Sequence, residues 1–250
     1  MKAAARTALA CLDLTSLNDA DTDADIAALC VRAQTVHGPV AAVCVWPRFV
    51  AQARAALPAS IQVAAVANFP DGSLDLQRAL ADVAEIAQAG GDEVDVVLPY
   101  RALLAGKTSE VAEFLSEVRF ASRPLALKVI IESGELGTAA AIAEATRLAL
   151  AAGADFVKTS TGKTKTGATP EAAAVMLKEI AASGLPSAGF KASGGVRSVA
   201  DAAGYIAQAE AALGAAALNP QRLRFGASGL LNDIESVLSG RESAATTATY

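Results

Sequence analysis

The strongest constraint on this 250-residue chain is an alternation of two kinds of segment. Short apolar or β-branched runs are separated by alanine-rich stretches of helical length, which is the pattern of parallel strands covered by crossover helices. The predicted strands are residues 7–14, 40–46, 61–69, 93–100, 125–132, 155–160, 188–193 and 223–228. The predicted helices are 21–35, 47–57, 73–89, 109–121, 138–151, 169–182, 198–210 and 230–238. The sixth has Thr169 as its cap, Pro170 at its first position and Gly184 just past its end. Eight units average about 31 residues each, the repeat size of a (β/α)8 barrel. The expected fold is therefore α/β, a single-domain (β/α)8 TIM barrel over 1–238 with a flexible polar C-terminal tail over 239–250. An open doubly wound sheet that binds nucleotides would need a Gly-x-Gly-x-x-Gly turn after an early strand, and none is there.

Composition excludes several functions. The apolar runs fall far short of the ~20 residues a membrane helix needs. A net charge of -5, with only 1 Trp, 3 Tyr and 7 Phe to stack on bases, opposes a nucleic-acid partner. The single histidine, His37, rules out a multi-histidine zinc site and favours chemistry with no metal or other cofactor. It reads as a loop residue before the second strand. Cys11, Cys30 and Cys44 are odd in number with no Cys-x-x-Cys pair, so they read as reduced thiols. Cys44 is expected to be a small buried hydrophobe outside catalysis. The first eleven residues resemble a signal peptide only superficially, because Arg6 interrupts the apolar stretch and Asp13 ends it. A first strand and a cytoplasmic location are expected instead.

Charge inside the strands is the anomaly that points to function. Asp95, Lys128, Lys158 and Lys191 each interrupt a run that otherwise reads as buried on both faces, and they fall on strands four to seven. Burying a lone charge is costly, so four such positions need a shared reason. Side chains that point into a barrel from neighbouring strands meet near its axis, and sites form at the strands' C-terminal ends. A structural salt-bridge network is the bland alternative. The functional one is amine catalysis, in which a lysine beside a second cation and shielded from water loses its proton and attacks a carbonyl. Three lysines and one carboxylate do not balance as simple ion pairs.

Two glycine-bearing loops suggest a phosphorylated ligand. Gly162-Lys163-Thr164 looks like the end of a P-loop, but the required first glycine would fall at Val157, so the pattern fails. The seventh strand leads into Gly194-Gly195-Val196-Arg197, with Ser198 as the cap of the next helix, and the eighth into Gly226-Ala227-Ser228-Gly229. Glycines let backbone N–H groups approach an anion, and barrels commonly bind phosphate after strands seven and eight.

These segments resemble the 2-deoxyribose-5-phosphate aldolase family of class I, Schiff-base-forming aldolases. The likeness runs nearly end to end through Leu12-Asp13-Leu14-Thr15, Val43-Cys44-Val45-Trp46-Pro47, Asn68-Phe69-Pro70, Asp92-Glu93-Val94-Asp95 and Lys128-Val129-Ile130-Ile131-Glu132. It is most specific at Lys158-Thr159-Ser160-Thr161-Gly162 and Lys191-Ala192-Ser193-Gly194-Gly195. The resemblance implies that Lys158 forms the Schiff base, Lys191 is the second catalytic lysine and Asp95 the acid/base carboxylate. It implies supporting roles for Lys128, which completes the network with Asp95, and for Asp13 and Thr161 at strand ends where substrate hydroxyls bind. Gly162, Lys163, Gly194, Gly195, Arg197, Gly226 and Ser228 would hold the phosphate. One departure is Gly229, where many relatives have a second serine. Tyr250 ends the tail, as a terminal tyrosine does in some relatives, and a disordered end is the expectation here. The partner implied is a small phosphorylated sugar, with no nucleic acid and no membrane; a homodimer is left open. Two rivals remain at this point: an aldolase for another phosphorylated aldehyde pair, and a non-catalytic phosphosugar-binding barrel.

Overall fold

The structure, a computed structural model, describes residues 1–241. Residues 242–250, which include most of the predicted tail and Tyr250, lie outside the described residues. Eight parallel strands close into a barrel: β1 Leu12–Thr15, β2 Ala42–Val45, β3 Gln62–Ala67, β4 Glu93–Val97, β5 Ala126–Ile130, β6 Phe156–Lys158, β7 Gly189–Ser193 and β8 Leu223–Ala227. Each pairs with the next in sequence, and β8 closes the ring on β1. The eight predicted strands thus all have a counterpart, and the sequence alternation becomes a ring of strand–helix units.

The main helices are α1 Lys2–Ala10, α2 Asp23–Arg32, α3 Val50–Ala56, α4 Leu76–Gln88, α5 Tyr100–Leu104, α6 Thr108–Ser122, α7 Ser133–Leu136, α8 Ala139–Ala151, α9 Pro170–Ala182, α10 Val199–Leu213 and α11 Leu230–Leu238. Five of these, α2, α4, α8, α9 and α10, begin at a side-chain cap. Thr22 and Asp25 form a reciprocal capping box at α2, and Ser198 and Asp201 form another at α10. At α9 the Thr169 hydroxyl accepts from the Ala172 N–H, with Pro170 in the first turn. None of these helices is long and apolar enough to cross a membrane.

The expected strand over 7–14 is corrected. Residues 2–10 are helical, and only Leu12–Thr15 is strand. Ala5, Ala8 and Leu9 are buried, a helical i, i+3, i+4 spacing, and α1 packs on α10 and α11. An apolar run this short is read equally well with either period. The predicted helix 21–35 is shorter, and beyond it residues 34–35 and 38–39 form a two-stranded antiparallel ribbon with His37 between them. Strands β3, β4, β5 and β6 also end two or three residues early. Strand β4 stops at Val97, before Pro99, which has no N–H for the ladder, and Tyr100 opens α5. Strand β5 stops at Ile130, because Glu132 takes a left-handed backbone conformation with φ 53°. Strand β6 is only Phe156–Lys158.

Candidate active site

Parallel register sets the site. Lys158 and Lys191 are Cα partners on β6 and β7, Asp95 and Lys128 on β4 and β5, and Arg224 and Lys191 on β8 and β7. Their side chains converge inside the barrel. Lys158 Nζ donates to Asp95 Oδ2 at 2.7 Å. Lys191 Nζ donates to the same oxygen at 2.7 Å and to Asp13 Oδ2 at 2.5 Å. Lys128 donates to Asp95 Oδ1 at 2.8 Å and also bonds Glu93 Oε2. Arg224 closes the cluster through Nη1 to Asp13 Oδ1 at 2.5 Å and Nη2 to Glu93 Oε1 at 2.7 Å. All seven side chains are buried.

The sequence reading expected three lysines against one carboxylate, and this is corrected. Asp13, Glu93 and Asp95 supply three negative charges, matched by Lys128, Lys191 and Arg224. Lys158 is the surplus cation. Among the described residues its one carboxylate partner, Asp95, is shared with Lys191 through Oδ2, whereas Lys191 and Arg224 each reach two carboxylates and Lys128 three.

Protonation follows from that arrangement. Burial pulls the Lys158 amine below the ordinary lysine value; Asp95 opposes this and Lys191 adds to it. Repulsion by Lys191 is therefore a contributor, with burial the larger cause. Burial also works against charge on Lys128 and Lys191, yet their carboxylate partners hold both above the ordinary value. Asp95 and Asp13, which burial alone would raise, are held low by the surrounding cations. The site thus places one weakly basic amine among firmly charged groups.

Asp13 and Thr161, expected at strand ends where substrate hydroxyls bind, both have partners within the protein. Both Asp13 oxygens accept from Lys191 and Arg224. The Thr161 hydroxyl donates to Glu132 Oε2 at 2.5 Å, and its N–H lies 3.3 Å from both oxygens of that carboxylate. Thr164 donates to Glu132 as well, and the Lys163 N–H donates to Thr161 Oγ1 at 3.0 Å. Glu132, quoted in the sequence only as part of a motif, therefore shapes the loop after β6; burial raises its pKa above the usual carboxylate value. Glu93 and Arg224 were also missed as site residues. The only local signal was a charge within the first two residues of a strand.

The glycine loops form one layer at the mouth. Gly162, Gly194 and Gly195 have φ of 77°, 80° and 86°, a region glycine enters without strain. A Cβ on Gly167 would come 2.4 Å from the Gly194 carbonyl oxygen, and Ala168 N–H donates to Ser193 O and Gly194 O. The loops after β6 and β7 are thereby fastened together. Lys163, Gly195, Arg197 and Ser228 are exposed around them. Gly226 is instead buried, and a Cβ there would meet Ser193 Oγ at 2.6 Å and Lys191 Cε at 3.1 Å, so this glycine clears space for Lys191. At the start of α10, the N–H groups of Arg197 and Ser198 donate to Asp201 and that of Val199 to Asp233. Those three donors are consumed within the protein. Cys44 is buried with its thiol pushed up by burial, as expected of an inert cysteine.

A parallel barrel whose C-terminal strand ends carry a buried amine network is the frame of an aldolase that works through a lysine. The chain belongs to the DeoC/LacD aldolase family, whose pattern matches residues 7–236. It is 47% identical to the deoxyribose-phosphate aldolase of Agrobacterium fabrum over 99% of this chain and 96% of that protein. Among solved structures, a candidate deoxyribose-phosphate aldolase from Toxoplasma gondii ME49 aligns with TM-score 0.88 and 25% identity, over 98% of this chain and 97% of the other. One from Coccidioides immitis aligns with TM-score 0.80 and 29% identity, over 92% and 87%.

Proposed function

We propose that this protein is a deoxyribose-phosphate aldolase, cleaving 2-deoxyribose 5-phosphate reversibly to glyceraldehyde 3-phosphate and acetaldehyde through a Schiff base on Lys158, without a metal or cofactor. The observation that carries this reading is the buried Lys158 amine, in excess over its carboxylates, with its pKa pulled down. A neutral amine is a nucleophile toward an aldehyde carbon, and an ammonium is not. Lys158 Nζ adds to carbon 1 of the open-chain sugar, and loss of water leaves an iminium. Removal of the proton from the carbon-3 hydroxyl lets the bond between carbons 2 and 3 break, its electron pair flowing to the iminium to give an enamine. Glyceraldehyde 3-phosphate departs. Protonation of the enamine at carbon 2 restores an iminium, and water hydrolyses it to acetaldehyde and free Lys158. Asp95 and Lys191, joined at 2.7 Å, move these protons together with a bound water.

The phosphate is held by the backbone N–H groups of Gly162, Gly194, Gly195 and Gly226, with Lys163, Arg197 and Ser228 beside them. The donors consumed at the start of α10 shift this task toward the glycine loops. This is a cytoplasmic sugar-degrading activity. Turnover of deoxyribose 5-phosphate and of unphosphorylated deoxyribose tests the reading. The expected result is a kcat/KM at least ~100-fold higher for the phosphorylated sugar, about 2.7 kcal/mol of transition-state binding. Equal values would remove the phosphate site, and cleavage of neither sugar would remove the substrate assignment.

A further inference from the structure

Two charged side chains in the barrel, Glu93 and Arg224, touch neither Lys158 nor the mouth of the barrel. They lie on the far side of the network, where a cavity of about 700 Å³ at the amino-terminal ends of the strands is lined by both of them together with Arg6, His37, Gln62 and Phe156. Arg224 lies over the Phe156 ring at 5.5 Å, and Phe156 in turn fills the space that Gly189 leaves open. From this end two paths of contacts run to the amine. One goes from Glu93 to Lys128, Asp95 and Lys158. The other goes from Arg224 to Asp13, Lys191 and Asp95.

We propose that Glu93 and Arg224 are a positioning pair that sets the proton affinity of Lys158 by fixing the charge of the network around it. With both present the other six charges cancel, so the network is neutral when Lys158 is the free amine and carries one positive charge when it is protonated. Removing Glu93 leaves an uncancelled cation, which makes protonating Lys158 harder. Removing Arg224 leaves an uncancelled anion, which makes it easier. Removing both restores the balance. The remaining titratable groups facing Lys158 are Cys44 on β2 and Glu132 after β5, and those facing the pair are Cys11 before β1 and, in the cavity, Arg6, His37 and Asp155. None of these changes with the substitutions, so the two single variants should displace Lys158 in opposite directions.

The inference rests on Lys158 as the Schiff-base lysine, and the test keeps the two apart. The protein and its Glu93→Gln, Arg224→Met and double variants are treated with acetaldehyde and borohydride across a range of pH, and adduct on the Lys158 peptide is followed by mass spectrometry. The pH midpoint of adduct formation should fall by about half a unit or more in Glu93→Gln, rise by a similar amount in Arg224→Met and return toward the starting value in the double variant. Should either single variant fail to fold, the other single variant and the charge-balanced double variant still give the sign. Midpoints that stay put, or move the same way in both singles, overturn the inference. No adduct on Lys158 in the unsubstituted protein overturns instead the Schiff-base reading beneath it.

Discussion

Lys158→Ala should abolish aldol cleavage while leaving the fold intact or more stable. Among the described residues no other amine is both buried and pulled toward its neutral form, since Lys128 is held charged by three carboxylates and Lys191 by two. Loss of the nucleophile should lower kcat by ~10⁴ or more, about 5.5 kcal/mol of barrel-specific stabilisation of the transition state. The thermal midpoint should be unchanged or raised, because the three carboxylates remain matched by Lys128, Lys191 and Arg224. Steady-state cleavage and thermal unfolding of the same preparation check both halves. Retained turnover would contradict the assignment, and a large fall in the midpoint would contradict the charge balance.

Asp95→Asn should do the reverse, destabilising the protein as well as inactivating it. Asp95 accepts from all three lysines and has no solvent exposure. Removing one member of a buried ionic cluster strands its partners' charges and costs about 3–5 kcal/mol. In a chain of this size each kcal/mol moves the thermal midpoint by roughly 2–4 °C, so a fall of about 6–20 °C is expected. Turnover should fall with it, because the proton path between Lys158 and Lys191 is lost. A variant with an unchanged midpoint would show that the cluster is not held by Asp95.

Much of this was legible in the chain because a parallel barrel is written in local signals. Each strand is a short apolar run, and helices α2, α9 and α10 start at caps that can be read directly. Helix α1 was misread because Ala-Leu-Ala around Leu9 fits a strand as well as a helix, and only its packing on α10 and α11 decides. The lysines and Asp95 stood out as charges in apolar runs. Glu93 and Arg224 did not, since Glu93 sits at the first residue of β4 and Arg224 at the second of β8, where a charge is easily taken for a strand end. Their roles exist only through register, which sets Arg224 beside Lys191 and lets Glu93 reach Lys128. The partner of Thr161 was not legible, because no pattern in the sequence shows that Glu132 bends into the left-handed region and accepts from its hydroxyl.

The central claim is that one buried amine, left surplus by an otherwise balanced network, becomes the nucleophile. Borohydride reduction in the presence of acetaldehyde, followed by peptide mass spectrometry, tests it most directly. The account predicts a reduced ethyl adduct on Lys158 alone, absent from Lys128, Lys163 and Lys191. An adduct on another lysine with Lys158 unmodified, or no adduct in a protein that still cleaves the sugar, would contradict it.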